Sequence, residues 1–296
     1  MIKHIAASTI CIATMVFGAG AIAAPIDWSP VDQAIGRKGA DQPGGVHKYS
    51  FPRSDLHVML DGVVLRPALA LGGWTAFESL GSKAMCMGDL VLLDTEVSPV
   101  MQRLIAGGFE ITALHNHLFR ISQPIFYMHV EAHGNPVELA TTLHAALALS
   151  RTPLSPPPPA RAATIDLDTA AIDGILGQKG RLNGGVLQFS FPRAQMISEH
   201  GMAVPPAMGT ATAINFQPTG AGKAAVTGDF VLIGSEVNPV LRALRENGIE
   251  MTALHSHMIG ESPRLFFMHF WANDDAQKLA RGLRAGLEHA DVKLRS

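Results

Sequence analysis

The chain has 296 residues, 47% of them apolar and 16% charged, which excludes an intrinsically disordered protein and is enough for one large domain or two ordinary ones. Lys and Arg number 23 against 25 Asp and Glu, a formal net charge of −2. That balance provides neither a basic field for nucleic acid nor a polyanionic tail.

Residues 1–23 read as a secretory signal peptide. Lys3 precedes an apolar stretch, and Ala21-Ile22-Ala23 forms an A-x-A exit. Cleavage after Ala23 lowers the net charge to −3 and removes Cys11, leaving Cys86 with no partner for an internal disulfide. The expected location is periplasmic or secreted, with no stable membrane span once the leader is gone.

The remainder is written twice. Residues 88–132 align without gaps to 228–272, with 21 of 45 positions identical. GDLVLLDTEVSPV becomes GDFVLIGSEVNPV, TALHNHL becomes TALHSHM, and GGVHKYSFPR (44–53) becomes GGVLQFSFPR (184–193). The proline-rich stretch 151–164 separates residues 24–150 from 165–296, and its four consecutive prolines favour a stiff spacer.

Each copy reads as the same string of elements. A short helix (29–37; 168–176) precedes a Gly-Gly turn. Strands are expected at 46–51, around 57–65, at 74–77 and at 89–93, with second-copy counterparts at 186–191, 211–216 and 230–233. Asp89 and Asp229 follow a glycine and read as turn residues before a strand. Ser98 or Asn238 fits a helix N-cap, and Pro99 or Pro239 the first helical position. Two strands follow (110–118 and 125–132; 250–258 and 265–272), then a closing helix (136–149; 274–288). The fold class is α+β: two homologous repeats, each a mostly antiparallel sheet with flanking helices.

His115 and His117 form an H-x-H pair, and His129 follows on the next strand; the second copy repeats them as His255, His257 and His269. Alternate strand residues share a face. If the second hairpin turns around Glu261, Phe267 opposes His255 and Ala253 opposes His269, so the three imidazoles share one face. Glu261 would add a carboxylate. Three nitrogens and one oxygen suit a divalent transition metal, without choosing among Zn, Fe, Mn, Ni and Cu. The first copy has Ile121 at the equivalent position, with Glu131 or His133 as alternative donors. His255, His257, Glu261 and His269 are therefore expected as the fuller site, and His115, His117 and His129 as a weaker one, with a site shared between copies as an alternative. The bland alternative is that the histidines are hydrogen-bonded sheet residues.

Glu96 and Glu236 also repeat. They suit a helix N-terminus, or could serve as further ligands, with Glu236 a candidate general base. Arg53 and Arg193 could grip an anion or form structural salt bridges. Met85-Cys86-Met87, and Met251, Met258 and Met268, read as core rather than copper ligands. No G-x-S-x-G, Walker loop or C-x-x-C occurs.

The run G-D…E-V-N-P-V…T-A-L-H-N-H…P-R…M-H resembles the LppY/LpqO family, also called the DUF1259 domain, over essentially all of the chain after the leader. That resemblance implies export and domain type but no chemistry. H-x-H-x3-E also looks like part of a cupin motif, although the helix-rich repeat argues against a true cupin. Three functions compete: an exported metal carrier, store or sensor; a metal-dependent hydrolase or oxygen-using enzyme; and a non-catalytic envelope interaction module with structural histidines. The partner is an unspecified small molecule or envelope component, not nucleic acid.

Overall fold

The computed structural model describes residues 26–155 and 164–293. The expected leader and most of the proline-rich spacer lie outside the described residues.

The first repeat runs α1 (Ser29–Ile35), β1 (Ala40–Gln42), β2 (Val46–Pro52), β3 (Met59–Leu60), β4 (Val63–Val64), α2 (Pro67–Ala70), β5 (Gly72–Leu80), β6 (Lys83–Leu93), α3 (Asp94–Ala106), β7 (Glu110–His115), β8 (Ile125–Gly134) and α4 (Pro136–Leu147). The second runs α5 (Thr169–Leu176), β9 (Arg181–Asn183), β10 (Val186–Pro192), β11 (Ser198–Glu199), β12 (Met202–Ala203), a 3-10 turn (Pro206–Met208), β13 (Ala211–Gly220), β14 (Lys223–Ile233), α6 (Gly234–Glu246), β15 (Glu250–His255), β16 (Glu261–Ser262), β17 (Leu265–Asp275) and α7 (Ala276–Leu287). Each repeat builds one antiparallel six-stranded sheet. The orders, β1-β2-β5-β6-β8-β7 and β9-β10-β13-β14-β17-β15, are the same.

Strand alternation divides each sheet into two apolar faces. On β6, Cys86, Leu90 and Leu92 join Val31, Leu104 and Leu143 beneath the helices. On β14, Val226, Phe230 and Leu232 join Ile172, Leu244 and Leu283. The intervening side chains point the other way, and there the repeats meet. Tyr127 and Leu71 pack with Val186 and Trp271, and Met85 and Met87 with Met208 and Phe267. The result is a helix, sheet, sheet, helix stack in which the central strands β6, β8, β14 and β17 are buried on both faces and are correspondingly apolar, while the edge strands stay more exposed.

The repeats also interlock. Helix α2 packs on β13 and β14, and the 3-10 turn packs on β2 and β5. Gln217 accepts a bond from the Arg66 N–H and donates to the Val64 carbonyl, both at 2.8 Å. Lys48 Nζ donates to the Ala207 carbonyl at 2.7 Å and sits 3.8 Å from the Trp74 ring centre.

Three local expectations are corrected. Helices α3 and α6 begin at Asp94 and Gly234, so Ser98, Asn238, Pro99 and Pro239 lie inside them and not at the cap. The reason is Glu96 and Glu236. At the third helical position, their carboxylates accept the N–H of Leu93 (2.9 Å) and Ile233 (2.8 Å) and so set the helix start upstream. Asp89 and Asp229 lie mid-strand rather than in turns. The single strand expected around 57–65 is a small hairpin, turning at Asp61 and Gly62, both with positive φ.

Candidate metal centre

The expected hairpin register is present. Ala253 opposes His269 and His255 opposes Phe267; in the first repeat Ala113 opposes His129 and His115 opposes Tyr127. The imidazoles of each repeat therefore share a face. That face is the one turned toward the other repeat, so all six histidines meet in one cluster. His115 stacks on His255 with ring centres 3.5 Å apart. His117 stacks on His269, and His129 on His257, each at 3.6 Å. Tyr127 closes one stack at 3.3 Å from His117, and Phe267 the other at 3.5 Å from His257. The arrangement carries the same two-fold relation as the sequence.

Potential ligand atoms fall into three overlapping groups, each mutually within 4.8 Å. His115, His117, His255 and His257 form a central group; Asp89, His117 and His129 form one flank, and Asp229, His257 and His269 the other. Metal–nitrogen bonds of about 2.0–2.1 Å place opposed ligands about 4 Å apart, so small side-chain adjustments close these sets around an ion. His117 and His257 belong to two groups each.

Asp89 and Asp229 are not among the candidate ligands expected from the sequence. Asp89 opposes His129, and Asp229 opposes His269, across neighbouring strands. Their carboxylates lie 3.8 Å from the respective Nε2 atoms. The repeated Gly-Asp pair was the available signal, and the glycine explains its form. A Cβ on Gly228 would stand 1.9 Å from the Ala213 carbonyl oxygen, so strands β13 and β14 approach too closely for any side chain. The Gly228 carbonyl also accepts the Nδ1–H of His269 at 2.9 Å, which leaves Nε2 as the free lone pair. Gly228→Ala is expected to cost about 1–3 kcal/mol by forcing this strand apart, read as a lower urea midpoint with unchanged slope.

Polar satisfaction sets this cluster apart from an ordinary core. Both ring nitrogens of His115 and His255, and the Nε2 atoms of His117, His129, His257 and His269, are buried without a hydrogen-bond partner, as are Asp89 Oδ1 and Asp229 Oδ1. Buried polar groups are almost always bonded, and each exception costs about 1–3 kcal/mol. Each neutral imidazole carries one lone pair, so these ten orphaned atoms offer a cation six imidazole nitrogens and two carboxylates, a set that fits a metal better than it fits hydrogen-bonded structural histidines. Burial, reinforced by His255, lowers His115 to about 3; burial lowers His255 to about 4. Burial and neighbouring imidazoles hold the other four well below the usual range. Neutral imidazole is the ligating form. Burial raises Asp89 to about 7 despite Lys48, and drives Asp229 well up, with Asp89 adding repulsion.

A cavity of about 10 Å³ beside His129 and His257 is lined by Gly88, Thr112, Met208 and Met258. It holds about one water and no organic substrate.

The remaining expected site residues lie elsewhere. Glu261 Oε1 accepts the Leu265 N–H at 3.0 Å, and Oε2 pairs with Arg264 at 3.2 Å; Glu261 is in none of the three histidine groups. Glu96 and Glu236 accept from buried Arg53 and Arg193 at 2.7 Å and from the Arg151 and Asp291 N–H groups. Burial alone would raise both carboxyls, but these bonds outweigh it and leave them below their usual range. Each Arg–Glu pair thus ties β2 or β10 to a helix start and to the chain beyond α4 or α7. Cys86 and the flanking methionines are core, as expected.

Fold and site together define a two-repeat α+β protein with a histidine cluster buried at the seam. The chain belongs to the family described as Domain of Unknown Function (DUF1259), whose model matches residues 29–149 and 170–289, one match per repeat. No curated protein matched. Two solved structures cover 85% of this chain. The trimeric bacterial microcompartment shell protein PduB is 12% identical, with 89% of its chain covered and a TM-score of 0.22. EtuB from Clostridium kluyveri is 8% identical, with 90% covered and a TM-score of 0.20. Similarity that slight carries no argument about this protein.

Proposed function

We propose that this protein is an exported metal-binding protein, and that its two repeats exist to build one shared site. The carrying observation is the set of partnerless imidazole nitrogens at the seam. His115, His117, His129, His255, His257 and His269, with Asp89 and Asp229, are the proposed ligands. Imidazole-rich sets with a few carboxylates suit Zn, Fe, Ni, Cu or Mn. The burial of the cluster and the one-water cavity favour holding or carrying a metal over turning over a substrate. The signal-like leader and the resemblance to the exported LppY/LpqO family support a periplasmic or secreted location. Among the described residues, no helix is long and apolar enough to cross a membrane.

A second reading rests on the flanking groups. Each offers two histidines and one aspartate, the donor set of mononuclear non-haem iron oxygenases. Under that reading the protein is a metal-dependent enzyme, and an exchangeable water on the bound ion is its signature.

The test is elemental analysis of tag-free protein purified from the periplasm without chelator. At least one equivalent of a transition metal is expected, on a chain whose intact mass begins at Ala24. Protein free of metal, both as purified and after incubation with each of the five ions, would refute the binding; an intact leader would refute export.

A further inference from the structure

One cluster of ionisable side chains lies outside the histidine groups. Glu131 on β8, Glu199 on β11 and His200 just beyond it bring one ligand atom each to within 4.8 Å of one another. Glu131 is 2% exposed and Glu199 fully buried. Both oxygens of Glu131 and Oε2 of Glu199 have no hydrogen-bond partner. The other oxygen of Glu199 accepts the Gly260 N–H at 2.9 Å. His200 Nε2 lies 3.6 Å from Glu199, and His133 Nε2 lies 3.8 Å from Glu131.

The internal symmetry supplies a control. The positions equivalent to Glu131, Glu199 and His200 in the other repeat are Trp271, Leu60 and Asp61. There Trp271 and Leu60 lie in an apolar cluster, and the Trp271 indole N–H donates to Asp61 at 3.1 Å. The same scaffold position is therefore satisfied in one half, by apolar packing and by an Asp61 carboxylate that is paired with Arg120 at 3.0 Å. In the other half it holds two buried carboxylates facing one another, an arrangement that costs several kcal/mol per ion unless a cation compensates.

We infer that Glu131, Glu199 and His200 form a second divalent-cation site, built by both repeats but present once per chain. Two carboxylates and one imidazole favour Mn²⁺, Fe²⁺ or Zn²⁺ over the softer ions that a wholly imidazole set accepts. The His200 side chain is 52% exposed, which gives the ion a route from solvent. His133 stands beside it as a further donor.

The test uses Mn²⁺ as the probe and the full chain in a His117→Ala/His257→Ala background, so that failure of the histidine site does not decide the outcome. Paramagnetic resonance counting of free Mn²⁺ is expected to show one bound ion per chain. His200→Ala, on an exposed side chain, should weaken binding at least tenfold, and Glu131→Gln/Glu199→Gln should abolish it. No bound Mn²⁺ in the background, or an affinity unmoved by His200→Ala as for adventitious surface ions, would overturn the site. Should the background variant not fold, Mn²⁺ added to the unmodified chain should broaden the ring signals of His200 and His133. Unbroadened signals at saturation would overturn it equally.

Discussion

His117→Ala combined with His257→Ala is expected to lower transition-metal affinity at the seam by far more than 100-fold, the upper range seen when only an outer partner of a ligand is lost. The reason is their position. Each serves the central histidine group and one flank, so the pair touches all three ligand sets. The same rings fill the stacks between Tyr127 and His269 and between Phe267 and His129. Alanine therefore removes packing as well as nitrogen. His117→Phe/His257→Phe separates the two effects, because it keeps an aromatic ring in each stack and deletes every lone pair. The phenylalanine variant should fold and still lose the metal. Titration with Zn²⁺ against a competing chelator reads both variants; retained affinity in the phenylalanine form would show that ligation lies elsewhere.

The second large effect is acid lability of the metal-free chain. Its six clustered histidines stay neutral when folded but take protons when unfolded, so their contribution is whole above about pH 6.5 and is lost as pH falls toward 4. Asp89, Asp229 and Glu131 act in the opposite sense. Folding holds them protonated where the unfolded chain ionises them, so they lower stability as pH rises from about 4 toward 7. Near pH 5 the imidazoles outnumber these carboxyls, and unfolding takes up about three protons net. Stability should then fall by roughly 4 kcal/mol for each pH unit of acidification. Urea midpoints between pH 4.5 and 6.5 measure this slope. A flat profile would mean that the imidazoles are already charged or solvated in the fold.

The parts of this protein most legible in sequence are those governed by local rules. The repeat, the closing helices and the hairpin that sets His255 against Phe267 follow from alternation and spacing. What escaped was non-local. Glu261 follows H-x-H closely in sequence, which made it an attractive ligand, yet its carboxylate is spent on the Leu265 N–H and Arg264. Asp89 lies 26 residues before His115, far along the chain but directly across a strand pair from His129. A glycine before it suggested a turn, whereas the glycine is there because neighbouring backbone approaches closely. A site shared between the copies was among the alternatives that the repeat offered, but nothing within either copy selected it. The faces carrying the histidines look outward within each repeat, and only the packing of one sheet on the other joins them.

Anomalous diffraction from crystals of the metal-loaded chain, collected at the absorption edge of the bound ion, tests the central claim most directly. The account predicts a peak between the repeats, bonded to imidazoles from both. A fully loaded crystal with no peak among these six rings, or with the ion held by one repeat alone, would contradict it.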